Sequence, residues 1–262
     1  MIAVVVLTHG RVHLLRQCVE NVLARTSELT TEIVIWDNAS TDGTAAYLDS
    51  LDDSKIRIVH HSRNIGQSAY ADAFRMTSAP YMIELDDDVV DAPPEWDRTL
   101  LEAFVALPQI GFLAPNIADN PHDQLAKVMR ERAHLYSTEE SNGILLLRGP
   151  VGGACAMTSR ELNERVGGFR KNRKQIFWLE DAAYIEDIAK LGYSAAYLHD
   201  LRITHAGGPY YSSASAAKDD YWRAYWQRIN RKNAVKKALL RVPLARRLNN
   251  RYRWFDPSET PN

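Results

Sequence analysis

Pro80-Tyr81-Met82-Ile83-Glu84-Leu85-Asp86-Asp87-Asp88-Val89-Val90 is an apolar run that ends in three consecutive carboxylates. Its aromatic and aliphatic residues lie between Pro80 and Pro93-Pro94, and because proline cannot continue a ladder, the run predicts a strand. The acids then fall at the strand's carboxyl end, the edge where open α/β sheets bind ligands. Side chains alternate along an extended chain, which puts Asp86 and Asp88 on one face and Asp87 on the other. Two carboxylates on one face offer hard oxygen ligands to Mg2+ or Mn2+. Three adjacent acids are costly without a cation, and a divalent ion carrying a diphosphate would supply that charge. A second reading is an acidic turn that caps the helix expected near Trp96.

Upstream of this strand the chain alternates. Ile2 to Leu7 is β-branched and apolar throughout, as a strand buried on both faces of a parallel sheet should be. Thr8-His9-Gly10-Arg11 breaks it, and Leu14, Leu15, Cys18, Val19, Val22 and Leu23 follow at helical spacing. Glu32 to Trp36 predicts a second strand, and Asp37 to Thr44 is turn and N-cap chemistry leading into a short helix from Ala45 to Leu51. Lys55 to His60 predicts a third strand, and Asn64-Ile65-Gly66 opens a helix through about Thr77. This β-α-β-α-β-α-β alternation specifies right-handed crossovers and a doubly wound, mostly parallel α/β sheet.

Downstream the pattern loosens. Pro94 suits the first turn of a helix carrying Trp96, Leu100, Leu101 and Phe104. Strands are expected at 110–115, 143–147, 154–158, 193–198 and 201–204, with a polar loop from Ile117 to Lys127 that contains His122 and Asp123. Helices are expected from Ser159 to Val166 and after Glu180-Asp181, and Ala206-Gly207-Gly208 through Ala217 reads as a flexible lid.

At 262 residues and 29.7 kDa, with 45% hydrophobic and 25% charged residues, the chain has ordinary globular composition. A net charge of -1 gives no electrostatic case for nucleic acid. The charge is uneven, with about ten Arg and Lys and no acid from Arg228 to Arg253, which leaves the preceding part clearly acidic. Cys18 and Cys155 are too few for a disulfide framework or a zinc ribbon, so a reducing cytoplasm is the default. The opening Met1 to Leu7 lacks the basic lead and length of a signal peptide, and no apolar stretch approaches a membrane span. The expectation is a soluble cytoplasmic protein with one domain over 1–227, divided into a nucleotide-binding half (1–90) and an acceptor-binding half (91–227), and a basic helical tail over 228–262.

Thr8 to Arg11 and Asp37-Asn38 end adjacent strands of such a sheet, and a crevice lined this way takes a nucleotide, with Asp37 accepting from base or ribose and Arg11 meeting phosphate. Neither loop has G-x-G-x-x-G spacing, so a dinucleotide is disfavoured, and a plain turn at Asp37 with a helix cap at Arg11 is the alternative. Thr8-His9-Gly10-Arg11, Val34 to Thr44, Arg63-Asn64-Ile65-Gly66, Asp86-Asp87-Asp88, Gly167-Gly168-Phe169 and Glu180-Asp181 come in the order of the landmarks of family 2 glycosyltransferases with the GT-A fold, which the chain resembles over roughly residues 2 to 210.

The resemblance implies a nucleoside-diphosphate sugar donor, most often UDP-linked, and Mn2+ or Mg2+ as cofactor. It implies that Thr8, His9, Arg11, Asp37, Asn38, Asn64, Gly66, Asp86, Asp87 and Gly153 contact the nucleotide sugar. Asp88, Asp86 and His205 are then the metal ligands, although an isolated His at a strand end is more often a surface or capping residue. Asp181 is implied as the base that inverts the anomeric centre by single displacement, with Glu180 orienting acceptor or lid; the alternative is that both acids only complement a helix dipole. Gly10 replaces the usual Asn and Ala183 a frequent Asp, which bears on donor and acceptor contacts. Gln227 to Arg231 lacks the Trp of processive relatives, so one sugar is added per encounter. The acceptor is a hydroxyl on a saccharide, a lipid carrier or another molecule, lined by 119–136 and 169–178. A nucleotidyltransferase would carry a Gly-rich basic first loop, absent after Leu7, and a non-catalytic sugar-binding relative is the other rival. Val235, Leu239, Val242 and Leu248 among Lys and Arg offer peripheral membrane contact, against a solvated helix, the commoner fate of charge runs.

Overall fold

The computed structural model describes residues 1–172 and 174–243. In chain order the elements are β1 (Ile2–Thr8), α1 (Val12–Arg25), β2 (Thr30–Asp37), α2 (Thr44–Asp49), β3 (Ile56–His60), α3 (Ala69–Ala73), β4 (Tyr81–Asp86), β5 (Val89–Asp91), α4 (Trp96–Ala106), β6 (Ile110–Ile117), α5 (Gln124–Glu131), β7 (Ser137–Ser141), β8 (Ile144–Arg148), β9 (Cys155–Ser159), α6 (Arg160–Arg165), α7 (Glu180–Lys190), β10 (Ser194–His205) and α8 (Ser213–Leu239). The strands form one sheet in the order β3-β2-β1-β4-β9-β6-β10-β8-β7, with β5 paired to β10. β3, β2, β1 and β4 are mutually parallel, β9 runs antiparallel between β4 and β6, and β10 is parallel to β6.

The doubly wound half follows from its sequence. Ile2 to Val6 and Ile33 to Ile35 are buried because helices cover both faces of the parallel sheet. On α1 the stripe Leu14, Leu15, Cys18, Val19 and Val22 is buried, and the Val12 N–H at its start donates to Asp42 Oδ2 at 2.9 Å. The register sets Thr8 opposite Asp37, Leu7 opposite Asp86, and Asp37 opposite His60, so the polar residues that close four parallel strands meet at one carboxyl edge.

Several elements differ from the sequence reading. The strand ends at Asp86, and Asp87 and Asp88 form the turn into β5, so alternation along an extended chain does not apply to Asp88. The acids do not cap the helix at Trp96 either: α4 has Glu95 at its N-cap with no side-chain cap bond. Its Asp97 is buried and instead accepts from the Ser27 N–H (2.8 Å) and the Thr30 hydroxyl (2.7 Å). The helix expected over 64–77 divides into a 3-10 turn at Gly66–Ser68, α3, and a second 3-10 turn at Phe74–Met76. The two last strands are one, β10, whose register shifts between Leu198 and Arg202.

The chain divides into two compact units, Met1–Ala214 and a second that begins at Ser215. The first holds the whole sheet. In the second, the helix that continues through Leu239 exposes Val235, Leu239, Arg228, Arg231 and Lys232. Among the described residues no helix is long and apolar enough to cross a membrane.

Candidate functional site

Asp86, Asp88 and His205 converge at the carboxyl edge, each offering a ligand atom within 4.8 Å of the others. Asp86 ends β4, Asp88 lies in the following turn, and His205 ends β10; the β5–β10 pairing and the Ala206 N–H bonded to the Asp88 carbonyl (2.7 Å) bring the turn and the strand end together. His205 Nδ1 bonds Asp123 Oδ1 at 2.7 Å, and its Nε2 lies 3.2 Å from Asp88 Oδ1. Burial opposes charge on this imidazole, but Asp88 and Asp123 outweigh it and raise its pKa to about 10. Two carboxylates and an imidazole whose second nitrogen is fixed by a buried acid make a donor set that suits Mn2+ or Mg2+.

Arg11 occupies the same cluster. Its guanidinium pairs with Asp87 and, at 2.5 Å, with Asp88 Oδ2. Thr8 donates its hydroxyl to Asp87 Oδ2 at 2.5 Å. Asp87 is fully buried, and burial pushes its carboxyl up to about 6 against the opposing pull of Arg11 and Thr8. Asp87 faces inward and anchors Arg11 and Thr8, because a buried carboxylate needs the cation and donor it has here. Arg11 and Thr8 are engaged with it, so a phosphate or nucleoside contact requires them to share or exchange these partners.

The second strand end is also internally bonded. Asp37 accepts from the Ser40 N–H (2.9 Å) and lies 3.2 Å from His60 Nδ1. His9 Nδ1 meets the Asn38 carbonyl at 2.9 Å, and the Asn38 side chain accepts from the Ile65 N–H (2.9 Å) and donates to the Gly66 carbonyl (3.1 Å). Asn64 accepts from the Gly66 N–H at 2.8 Å. The turn role set against Asp37 is therefore real, and the loop it builds ties His9, Asn38, Asn64 and Gly66 together. Gly66 has φ of +59°, and a Cβ there would lie 1.8 Å from the Ile176 carbonyl oxygen, so only glycine lets the backbone at Ile176 approach on this side.

Glu180 and Asp181 open α7. Asp181 Oδ2 accepts from the Gly153 N–H (2.9 Å) and its Oδ1 from the Ala182 N–H (2.7 Å), which fixes the carboxylate at the helix N-terminus. Tyr70 links this acid pair to the metal cluster: its hydroxyl donates to Asp86 Oδ1 at 3.0 Å while Glu84 and Glu180 act on it electrostatically.

A model of the family described as "Glycosyl transferase family 2" matches residues 3–167. The chain belongs to glycosyltransferase family 2. The match covers the Thr8, Asp37 and Asp86 strand ends and stops before Asp181 and His205. No curated protein sequence matches this family 2 chain. Among solved structures it is similar to mannosyltransferase PcManGT from Pyrobaculum calidifontis in complex with GDP-Man and Mn2+ (TM-score 0.59, 21% identity, covering 79% of this chain and 57% of that one). It is also similar to S. aureus TarS 1-349 in complex with UDP-GlcNAc (TM-score 0.59, 14% identity, 81% and 60% covered). A third is glucosyl-3-phosphoglycerate synthase from Mycobacterium tuberculosis in complex with Mn2+, UDP and glucosyl-3-phosphoglycerate (TM-score 0.54, 18% identity, 80% and 73% covered). The likeness establishes a shared fold, and the chain spans less than two thirds of the length of the first two structures.

Two site residues of this family 2 chain escaped the sequence reading. Asp123 was placed in a polar loop; it is the N-cap of α5, accepting from the Ala126 N–H at 2.8 Å, as well as the acid behind His205. An Asp three residues before the capped N–H was its one local signal. Glu84 sits within the deciding strand, fully buried, with no hydrogen-bond partner for either carboxyl oxygen among the described residues. Burial, then Glu180, Asp181 and Asp86, push its carboxyl well up from the ordinary carboxylate range.

Proposed function

We propose that this protein transfers one sugar per encounter from a nucleoside-diphosphate sugar, with UDP favoured, to an acceptor hydroxyl, with inversion at the anomeric carbon and in glycan or glycoconjugate biosynthesis. The observation that carries this reading is the Asp86–Asp88–His205 donor set on the same edge as Asp181 at the start of α7. A divalent ion held by these three residues would stabilise the negative charge that develops on the departing diphosphate. Arg11, held beside the cluster, adds a fixed positive charge next to the diphosphate position. The Asp37–Asn38 and Asn64–Gly66 loops supply a shaped, internally bonded wall for the nucleoside. Asp181, its carboxylate braced by the Gly153 and Ala182 amides, takes the proton of the attacking hydroxyl, and Glu180 orients the acceptor. Attack from the face opposite the leaving group inverts the configuration. Its relatives bind GDP-Man, UDP-GlcNAc or UDP, which supports the donor class without selecting the base.

A thermal-shift panel of UDP, GDP, dTDP, ADP and NAD, each with and without Mn2+, tests the reading on wild type and Asp88→Ala. A nucleotide at about a hundred times its dissociation constant adds roughly 2.7 kcal/mol. The expected result is that one nucleoside diphosphate stabilises the protein only with metal and that Asp88→Ala abolishes the shift. Stabilisation by NAD, or by no nucleotide, sinks it.

A further inference from the structure

The stretches that follow β6 and β10 carry an aromatic construction with no assigned role. His122 and Tyr210 stack in parallel, ring centroids 4.0 Å apart and planes 9° from each other. His122 covers one face of the Tyr210 ring, and Tyr210 remains 68% exposed. The Tyr210 ring also stands edge-on to Tyr211, 5.0 Å away at 83°. Tyr211 is anchored in turn: its hydroxyl accepts from Asn120 Nδ2 at 2.6 Å, and its carbonyl lies 2.9 Å from His13 Nε2. The two stretches are joined below by the Gln124 N–H donating to the Gly207 carbonyl (3.0 Å) and the Gly207 N–H donating to Asp123 Oδ1 (3.2 Å). A large aromatic ring is thus held in water against His122, which is one residue along the chain from the acid that orients His205.

The stretch that carries His122 also carries planar polar groups. Asp119 and Arg130 pair with each other, and Arg130 also donates to the Asn120 carbonyl at 3.3 Å, which fixes both on the stretch that carries His122. Both side chains are exposed. An exposed aromatic face with a carboxylate and a guanidinium on the stretch that backs it matches one ligand chemistry well. A pyranose ring presents a patch of axial C–H groups to an aromatic face, and its vicinal hydroxyls make paired hydrogen bonds with carboxylate and guanidinium. A nucleobase would also stack, but it lacks the vicinal hydroxyls that a carboxylate and a guanidinium bind in pairs.

We propose that the outer face of Tyr210, backed by His122 and with Asp119 and Arg130 on the stretch that carries His122, binds a pyranose ring of the acceptor, which makes the acceptor a saccharide. The proposal rests on the sugar-transfer reading and deepens it. The platform grows from the stretches that carry Asp123 and His205, and its aromatic face selects sugars with an unbroken axial C–H face over hydroxyl acceptors without a ring.

The test is saturation-transfer NMR on the full chain with methyl α- and β-glycosides of glucose, galactose, mannose and N-acetylglucosamine, in the presence of Mn2+ and the nucleoside diphosphate that stabilises the protein. Tyr210→Ala, Tyr210→Phe and His122→Ala are compared with wild type, each also measured for its nucleotide-dependent thermal shift. The expected result is contact with the C–H protons of one ring face of at least one glycoside, weakened tenfold or more in Tyr210→Ala, retained in Tyr210→Phe and reduced in His122→Ala, with the nucleotide shift equal in all four proteins. Absence of any glycoside contact, or contact indifferent to Tyr210→Ala, overturns the platform while an intact nucleotide shift leaves the transfer reading standing. A nucleotide shift lost in Tyr210→Ala assigns the ring to the donor and overturns the proposal as well.

Discussion

Asp123 does two jobs with one carboxylate: Oδ2 caps α5 and Oδ1 holds His205 Nδ1, so it fixes which imidazole nitrogen faces Asp88. Asp123→Asn keeps an oxygen for the Ala126 N–H but loses the anionic partner of the ring. Mn2+ binding followed by calorimetry should weaken about 10- to 100-fold, as removal of such outer partners typically does, while helical circular dichroism is unchanged. Gly153 makes a separate demand. A Cβ there would sit 2.2 Å from Glu84 Oε1 and 3.1 Å from Asp181 Cβ, in a place closed on both sides. Gly153→Ala should cost about 1–3 kcal/mol in urea unfolding, the range for overpacking. Adding Glu84→Ala should restore part of that loss; an additive double variant would show that the two do not share the space. The triple acid was legible because its signal is local, three carboxylates closing an apolar strand. Asp123 was not, because its partner His205 lies 82 positions away, and Glu84 was not, because nothing in an apolar strand says that its one acid will be left without a hydrogen-bond partner.

At the level of elements, the buried strands could be read directly, since a strand covered on both faces is apolar throughout and helical crossovers leave a 3.6-residue stripe. α5 could not, because it buries only Ala126, packs Leu125 and Met129 partially and begins inside a polar run. β7 could not, because four of its five residues are exposed. The end of β3 carries a testable device. His60 bridges Asp37 at 3.2 Å and Asp49 at 3.1 Å, joining β2 and α2. Burial lowers its pKa, but the hydrogen bonds to Asp37 and Asp49 outweigh burial and the net shift is upward. A folded pKa above the unfolded value of about 6.5 means that the bridge stabilises fully below that value and fades as pH rises through the folded value. The melting temperature of wild type relative to His60→Gln should therefore be highest at about pH 5.5 and should converge on the variant's in the alkaline range. A difference that grows with pH would show that the neutral imidazole, donating to one carboxylate, is the stabilising form instead.

Across the whole molecule, charge is segregated: about ten Arg and Lys and no acid lie between Arg228 and Arg253, against a net charge of -1 for the chain. Composition made this legible, but it left two readings, a solvated helix or one that meets an anionic surface. The described part of α8 exposes Val235 and Leu239 on the same helix as Arg228, Arg231 and Lys232, the residue types that an anionic surface would bind through both apolar contact and charge. Each basic residue near an anionic bilayer contributes about 1 kcal/mol, so replacing Arg228, Arg231 and Lys232 together by Gln should lower partitioning by about two orders of magnitude. The full chain should sediment with vesicles rich in anionic phospholipid, stay in solution with neutral ones and release as salt shortens the screening length. Val235→Asp should weaken binding that salt alone does not remove, which separates apolar insertion from pure charge attraction. Sedimentation unaffected by the three Gln substitutions would locate the membrane contact elsewhere, and none with any vesicle would return the helix to the solvated reading.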